Sequence, residues 1–135
     1  MMIIDASVAV HWFADTEFSV PAGRYRKRAD LIGPSFLLIE TANVLYKQSR
    51  AGKIQPDLCA ESISGLGLLL AEIIPDQQLL EHAIRLALEW QHPVYDCLYA
   101  ALALERREPI ATADRKLALL AEKIGVGAEL IEPES

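Results

Sequence analysis

The sequence predicts an α/β fold in which a central parallel sheet of four or five strands is covered by helices on both faces. Short apolar runs alternate with helical patterns of roughly ten or more residues, which is typical of parallel strands joined by crossover helices. Three of the runs lead directly into a helix. The chain has 135 residues, is 52% hydrophobic and shows no internal repeat or linker, so we expect a single domain over residues 1–135.

Five segments are predicted as strands because they are short, apolar and bounded by turn residues or acids. The first is rich in isoleucine and ends at Asp5. The second is closed by Gly33 and Pro34, and the third stops before Pro75. The fourth is a buried run after a helix, and the fifth lies near the end of the chain. The predicted ranges are residues 2–4, 30–33, 72–74, 109–113 and 128–131.

Helices are predicted where apolar residues recur at helical spacing behind a capping residue or a proline. Ser35 and Asp76 are expected to cap two of them, since short polar side chains accept hydrogen bonds from the free N–H groups of a first turn. Pro56 and Pro93 suit the first turn of two more, and Gly52 ends the longest. The predicted ranges are residues 6–14, 17 or 21 to 28, 36–50, 56–70, 76–90, 93–107 and 114–125.

Composition excludes several classes of protein. The longest apolar stretches, such as residues 66–71, are far shorter than the roughly 20 residues that cross a bilayer. The start of the chain has no basic region before an apolar segment, so we expect no signal peptide and a soluble, cytoplasmic protein. Cys59 and Cys97 stand alone and are predicted to be buried thiols. The net charge of -6 argues against a simple nucleic-acid groove binder, although setting four acids aside as a metal site leaves only -2.

Four acidic residues interrupt or close apolar segments, where a charge is costly unless it is paired, capped or bound to a cation. Asp5 and Asp114 each precede a helix, so capping would explain either one alone. Asp96 lies in a first turn, where the helix dipole stabilises a carboxylate. Glu40 lies beyond the first turn, and only a solvated face shared with Asn43 and Lys47 would explain it.

Taken together, the four acids predict a cation site. Asp5 and Asp114 follow strand ends, and ligands of parallel sheets bind beyond the carboxyl ends of the strands. Two carboxylates about 4 Å apart repel by about 4 kcal/mol at an effective dielectric near 20, so a cluster requires cations. Oxygen ligands select hard ions such as Mg²⁺ or Mn²⁺. The predicted reaction is metal-dependent hydrolysis of a phosphodiester.

The segments around these acids resemble, in order, the four motifs of PIN-domain nucleases. The size and motif style are most similar to VapC-type toxins of toxin-antitoxin pairs. The resemblance covers nearly the whole chain and implies a three-layer α/β/α fold, endoribonuclease activity, Mg²⁺ or Mn²⁺, a homodimer and an inhibitory antitoxin. The motifs read Ile-Ile-Asp5-Ala-Ser7, Ile-Glu40-Thr-Ala-Asn43, Tyr-Asp96-Cys-Leu-Tyr and Thr112-Ala-Asp114.

Site roles follow from this resemblance. It implies that the four acids form the catalytic metal site, with Asp5 and Asp96 as direct ligands. The polar positions that accompany the acids are expected to orient carboxylates or water, with ordinary helix and strand-end hydrogen bonding as the alternative. These positions are Ser7, Asn43 and Thr112. Arg115 and Lys116 follow Asp114 and are predicted to contact a phosphate.

Other basic and aromatic residues allow more than one interpretation. The stretch 24–28 carries Tyr25 among four cations, so it is either a solvated helix end or a surface on which a base stacks. Among the histidines only His11 is taken to lie near a site residue in sequence, and no histidine is expected to act as general base.

Three alternatives to a toxin nuclease remain. One is a PIN-domain nuclease that processes RNA without an antitoxin, and another is a PIN-like domain that only binds RNA or protein. The third is a receiver-like phosphoacceptor module, which suits the chain length and the acid after the first strand. A receiver would need a lysine after its last strand, whereas this strand reads Ala-Glu-Leu-Ile-Glu.

Overall fold

A computed structural model describes residues 1–134 and contains a five-stranded sheet in which every neighbouring pair of strands is parallel. The strand order is β3-β2-β1-β4-β5. Helices flank the sheet, which confirms the predicted three-layer α/β/α fold. The strands are β1 (Met2–Ile4), β2 (Leu31–Pro34), β3 (Glu72–Ile74), β4 (Ile110–Thr112) and β5 (Ala128–Leu130).

The helices follow the predicted order, with most boundaries within a few residues of the prediction. The exception is the first, which was expected to run over residues 6–14. It is a short α-helix continued by a 3₁₀ turn that ends at Trp12, whose buried indole Nε1 donates to the Ala22 carbonyl at 2.8 Å. The helices are α1 (Ala6–Ala9), α2 (Ser19–Arg26), α3 (Phe36–Arg50), α4 (Pro56–Leu69), α5 (Asp76–Trp90), α6 (Val94–Arg106) and α7 (Arg115–Lys123), and the 3₁₀ turn is Val10–Trp12.

The order of the strands reverses between β1 and β4. From β1 the chain adds β2 and β3 on one side, while β4 and β5 extend the sheet on the other. Ile4 pairs with Ala111, so the next residues, Asp5 just after β1 and Thr112 at the end of β4, lie side by side. In open parallel sheets this reversal point forms a crevice beyond the carboxyl ends of the strands, and that is where ligands bind.

Helix α6 is the most deeply buried helix of the fold. Every residue from Cys97 to Ala103 is buried, because this helix contacts β1, β2 and β4 and also packs against α5. A polar side chain on this helix therefore needs a hydrogen-bond partner, because burying it without one costs free energy. Asp96 and Tyr99, one helical turn apart, are two such side chains.

Two predicted helix caps are present but exchanged. The Asp76 backbone N–H donates to Ser35 Oγ at 3.0 Å, and the Phe36 backbone N–H donates to Asp76 Oδ1 at 2.9 Å. Each side chain thus caps the helix that begins beside its own, instead of its own helix as predicted. The reason is the register of β2 and β3: Pro34 pairs with Ile74, so α3 and α5 start next to each other.

Among the described residues, no helix has the length and apolar character needed to cross a membrane. Both cysteines are free thiols, with Cys97 buried and Cys59 half-buried.

Candidate active site

The four predicted acids line one cleft of about 290 Å³ at the carboxyl ends of β1 and β4. Each acid comes from a different part of the chain. Asp5 follows β1, Glu40 lies in α3, Asp96 in the first turn of α6, and Asp114 immediately before α7. The fold therefore brings together four carboxylates that are up to 109 residues apart in sequence.

Asp5 is the most buried of the four, with 5% of its surface exposed. Its side chain accepts hydrogen bonds from Ser7 Oγ at 2.6 Å and from Thr112 Oγ1 at 2.7 Å. It does not cap α1, although the backbone carbonyl of Asp5 accepts from the first turn of that helix. Capping by the side chain, the structural alternative for Asp5, is therefore wrong, and the carboxylate belongs to the cleft.

The hydroxyls of Ser7 and Thr112 hold the Asp5 carboxylate from both sides. Ser7 Oγ accepts from the Ala113 backbone N–H at 2.7 Å, and Thr112 Oγ1 accepts from the Asp114 backbone N–H at 2.9 Å. Since these backbone groups donate to the hydroxyls, the single hydrogen of each hydroxyl is free to point at Asp5. The two residues make strand-end hydrogen bonds and orient a carboxylate at the same time.

Electrostatics in the cleft disfavour negative charge. Burial raises the pKa of Asp5 to about 7, against the lowering effect of Ser7 and Thr112, and the charges of Glu40 and Asp114 add to the rise. Burial also raises the pKa of Glu40 and that of Asp96. When several carboxyls share a crevice and their charged forms are destabilised, a cation bound there would stabilise them.

Glu40 faces the cleft and has an unpredicted partner. Its Oε1 accepts from the hydroxyl of Tyr99 at 2.8 Å, and this hydrogen bond opposes the effect of burial on the Glu40 pKa. Tyr99 has no exposed surface, and burial raises the pKa of its hydroxyl well above the usual value. Asn43 and Lys47 are exposed, whereas Glu40 is half-buried and lines the cleft, so the solvated face shared with them does not explain Glu40.

A signal for Tyr99 was available in the sequence. It lies three residues after Asp96, hence on the same face of α6, and it carries the only hydroxyl between Cys97 and Ala103. A buried tyrosine usually directs its hydroxyl to a partner, so a position beside the acids was to be expected.

Replacing Tyr99 by phenylalanine is predicted to raise the pKa of Glu40 further, because the hydrogen bond that stabilises the charged carboxylate is removed. The lost hydrogen bond should lower the free energy of unfolding by about 0.5–1.5 kcal/mol. Carbon-13 NMR of the glutamate carboxyls over a pH titration measures the pKa directly. Tyr95→Phe is the matched control, since Tyr95 is 52% exposed on the same helix. An unchanged Glu40 titration in Tyr99→Phe would contradict the assignment.

Asp96 is paired with a histidine that sequence reasoning placed away from the site. His92 Nε2 lies 2.9 Å from Asp96 Oδ2, and the two side chains are only 13% and 17% exposed. His11, the histidine taken to be near the site, instead bonds to the Thr16 hydroxyl at 2.8 Å and stacks on Phe18. The view that only His11 lies near a site residue is wrong, because His92 precedes Asp96 by four residues across a proline.

Asp114 combines both of its predicted roles. Its Oδ1 accepts from the Lys116 backbone N–H at 2.9 Å, which caps α7, and its side chain also lines the cleft. Besides the buried Thr112, which bonds to Asp5, three other predicted residues are not among those that line the cleft. Asn43 is exposed on α3, Arg115 is exposed and lies 3.9 Å from Glu132, and Lys116 is exposed and lines a neighbouring pocket.

The basic stretch 24–28 is tied to the structure at two points. The Tyr25 hydroxyl donates to Glu129 Oε1 at 2.6 Å, and Arg28 forms an ion pair with Asp30 at 2.8 Å. The remaining cations of the stretch are exposed at the end of α2. This arrangement favours the solvated helix end over a surface for base stacking.

The donor set of the cleft fits a hard cation. Among the described residues, no group of three or more His, Cys, Asp or Glu side chains is already arranged to enclose a metal ion. Mg²⁺, however, usually keeps several of its waters and binds through only one or two protein carboxylates. An open cleft of oxygen donors with raised pKa values matches such a hydrated ion better than a closed protein cage.

Solved structures share this fold. PAE2754 from Pyrobaculum aerophilum superposes with a TM-score of 0.73 at 20% sequence identity, covering 94% of this chain and 81% of that one. The sarcin-ricin loop cleaving toxin VapC20 of Mycobacterium tuberculosis superposes with a TM-score of 0.67 at 14% identity, covering 88% of this chain and 94% of that one. At these identities the likeness concerns the fold.

No curated protein matches the sequence. The family model described as the PIN domain does match, and it extends over residues 2–123. This range begins with β1, ends with α7 and contains all four carboxylates of the cleft, so the chain belongs to the PIN domain family.

Proposed function

We propose that this protein is a Mg²⁺- or Mn²⁺-dependent endoribonuclease that acts as the toxin of a type II toxin-antitoxin pair. The observation that carries the proposal is the convergence of four carboxylates on one cleft at the reversal point of the sheet, three of them with a raised pKa. Such a site attracts a divalent cation, and membership of the PIN domain family supports nuclease chemistry.

In this proposal Asp5 and Asp96 are the metal ligands. Ser7 and Thr112 hold the Asp5 carboxylate in place, and His92 does the same for Asp96. A bound Mg²⁺ or Mn²⁺ would lower the pKa of a coordinated water and stabilise the charge that develops on the phosphodiester.

The other two acids and the neighbouring cations have further roles in the proposal. Glu40 is oriented by Tyr99, and its raised pKa suits it to accept a proton from the attacking water. Asp114 supports the site while capping α7. Arg115 and Lys116 are exposed at the start of that helix, where they would meet a phosphate of the RNA.

The likeness to a toxin that cleaves the sarcin-ricin loop supports an RNA substrate and an antitoxin partner here. Exposed apolar side chains support protein partners. Leu68 of α4 is 88% exposed, Leu58 of the same helix 46%, and Ile39 of α3 61%. We propose that these helices contribute to a homodimer or to antitoxin binding in the cytoplasm. Sedimentation as a monomer at high concentration would contradict the homodimer.

Removing the divalent cation is the direct test of the reaction. The purified protein is expected to cleave single-stranded RNA with Mg²⁺ or Mn²⁺ and to lose that activity in excess EDTA. Calorimetric titration of the wild type with Mn²⁺ should show saturable binding, weaker at pH 5.5 than at pH 8 because protons compete for Asp5. Cleavage that survives EDTA, or the absence of Mn²⁺ binding, would favour a domain that only binds RNA or protein.

The toxin role is tested separately from the chemistry. A nuclease of this fold that processes RNA without an antitoxin would pass every cleavage assay. A short adjacent gene that encodes a DNA-binding protein, whose product forms a complex with this chain and stops cleavage, would support the toxin. Its absence would favour the processing nuclease.

A further inference from the structure

A second pocket, of about 130 Å³, lies beside the acidic cleft, and of its lining residues only His92 and Lys116 have a part in the proposed mechanism. Trp90 ends α5, His92 lies in the connection to α6, and the remaining lining residues come from α7. We call it the Trp90 pocket. It is lined by Trp90, His92, Lys116, Leu119, Leu120 and Lys123.

Two hydrogen bonds join the Trp90 pocket to the acidic cleft. His92 Nε2 lies 2.9 Å from Asp96 Oδ2, and the Lys116 backbone N–H donates to Asp114 Oδ1 at 2.9 Å. Two of the four cleft carboxylates are therefore bonded directly to residues that line the pocket.

The lining of the pocket differs in chemistry from the cleft. It combines an indole, two lysines and two leucines, and no carboxylate is among the described residues that line it, although the chain carries a net charge of -6. An aromatic face beside cations is the combination that binds a base and its phosphate in single-stranded nucleic acids. The volume is well below the roughly 300–1,000 Å³ of pockets for drug-sized ligands, so it suits one planar ring.

The backbone holds this pocket in shape. Gln91 ends α5 in the left-handed conformation at φ 52°, and the His92 backbone N–H donates to the Ala87 carbonyl at 3.2 Å. His92 is further fixed by Asp96, and Trp90 is half-buried against the core. Because the pocket is already formed, little conformational entropy is lost when a ligand binds.

We propose that the Trp90 pocket is a nucleotide subsite of the ribonuclease. The base of one unpaired nucleotide next to the scissile bond lies against Trp90, and the flanking phosphate contacts Lys116 and Lys123. This inference rests on the proposed function and adds a substrate requirement to it: the nucleotide beside the cut must be unpaired, since a base inside a duplex cannot enter the pocket.

Fluorescence of Trp90 tests the contact without relying on cleavage. The chain has two tryptophans, Trp12 and Trp90, so Trp12→Phe leaves Trp90 as the sole indole. Asp5→Asn is added to prevent cleavage during the titration. Single-stranded RNA is expected to quench Trp90 saturably, a fully paired RNA is not, and Lys116→Gln with Lys123→Gln should weaken the RNA affinity about 10-fold. Equal quenching by paired RNA would overturn the subsite.

The second measurement is the cleavage kinetics of single-residue variants that keep Asp5 and Trp12. Trp90→Ala is expected to raise the KM for single-stranded RNA about 10-fold with little change in kcat, and Trp90→Phe to retain most of the affinity, because any aromatic face stacks on a base. Tyr46→Ala removes an aromatic that is 58% exposed on α3 and is the control.

The two proposals fail in different ways. Cleavage by the wild type with no quenching of Trp90 and an unchanged KM in Trp90→Ala would overturn the subsite and leave the nuclease. Saturable quenching by single-stranded RNA, with no cleavage under any divalent cation, would overturn the nuclease and support the pocket as an RNA-binding site.

Discussion

Replacing Asp96 by asparagine is expected to reduce RNA cleavage on the order of 100- to 1,000-fold while the protein stays folded. Asparagine has nearly the same shape and keeps an oxygen toward His92 Nε2, but it removes one negative charge from the cleft. Charge stabilisation by a metal ion contributes several kcal/mol to such reactions, and each 1.4 kcal/mol is a factor of ten in rate. Losing a proposed metal ligand should therefore remove most of the catalytic effect.

Asp57→Asn is the matched control for this variant. Asp57 is also an acid in the first turn of a helix, but it is exposed on α4 and does not line the cleft. Both variants should keep a free energy of unfolding within about 1 kcal/mol of the wild type, since Asp57→Asn loses only a favourable contact with the helix dipole and the amide oxygen of Asp96→Asn still faces His92 Nε2. Cleavage rates under saturating Mg²⁺ and circular dichroism separate the two effects. Wild-type rates in Asp96→Asn would exclude the proposed active site.

The positions of Asp5, Thr112 and Asp114 could be predicted from the sequence because each lies at or just after the carboxyl end of a strand. An acid that directly follows an apolar run leaves the sheet at the carboxyl end of its strand, and parallel strands share that edge. Once the sheet is parallel, Asp5 and Thr112 can only be neighbours if β1 and β4 are adjacent, as they are. The motif resemblance implied only that the acids share one site, and the order of the strands was not predicted from the sequence.

The partners of these acids were harder to predict because they depend on side-chain direction and on packing. Tyr99 reaches Glu40 across two helices, and no sequence pattern relates residues 59 positions apart. His92 meets Asp96 across the turn between α5 and α6, where Gln91 takes a left-handed conformation that the sequence does not signal. The cross-capping of Ser35 and Asp76 likewise depends on the register of β2 and β3, which is a tertiary property.

Replacing Asp5 by asparagine is expected to abolish cleavage and yet stabilise the metal-free protein at pH 8 by about 2–3 kcal/mol. The pKa of Asp5 rises from 3.8 to about 7 on folding, mainly through burial. A difference of about 3 pKa units corresponds to about 4 kcal/mol of destabilisation once the carboxyl is charged in both states. Asparagine avoids this cost. However, the hydroxyl of either Ser7 or Thr112 must turn its hydrogen away from the amide NH₂, and the lost hydrogen bond reduces the gain in stability by about 1–2 kcal/mol.

The dependence of the free energy of unfolding on pH follows from the same shift in the Asp5 pKa. Between about pH 4 and pH 7 the folded state holds a proton on Asp5 that the unfolded state has released, so the free energy of unfolding falls as the pH rises. Above the Asp5 pKa values of both the unfolded and the folded state, the loss of stability is complete. Below both values there is no loss. The advantage of Asp5→Asn in urea unfolding should therefore grow from pH 5 to pH 8, whereas a constant difference would contradict burial as the cause.

A divalent cation should reverse this order of stabilities. A bound ion compensates the Asp5 carboxylate, so Mn²⁺ is expected to stabilise the wild type strongly at pH 8, weakly at pH 5.5, and Asp5→Asn hardly at either pH. The destabilisation by the Asp5 carboxylate and the expected affinity for the metal would then have one origin, the burial of a charge that Ser7 and Thr112 only partly offset. Equal stabilisation of both proteins by Mn²⁺ would place the ion elsewhere on the molecule.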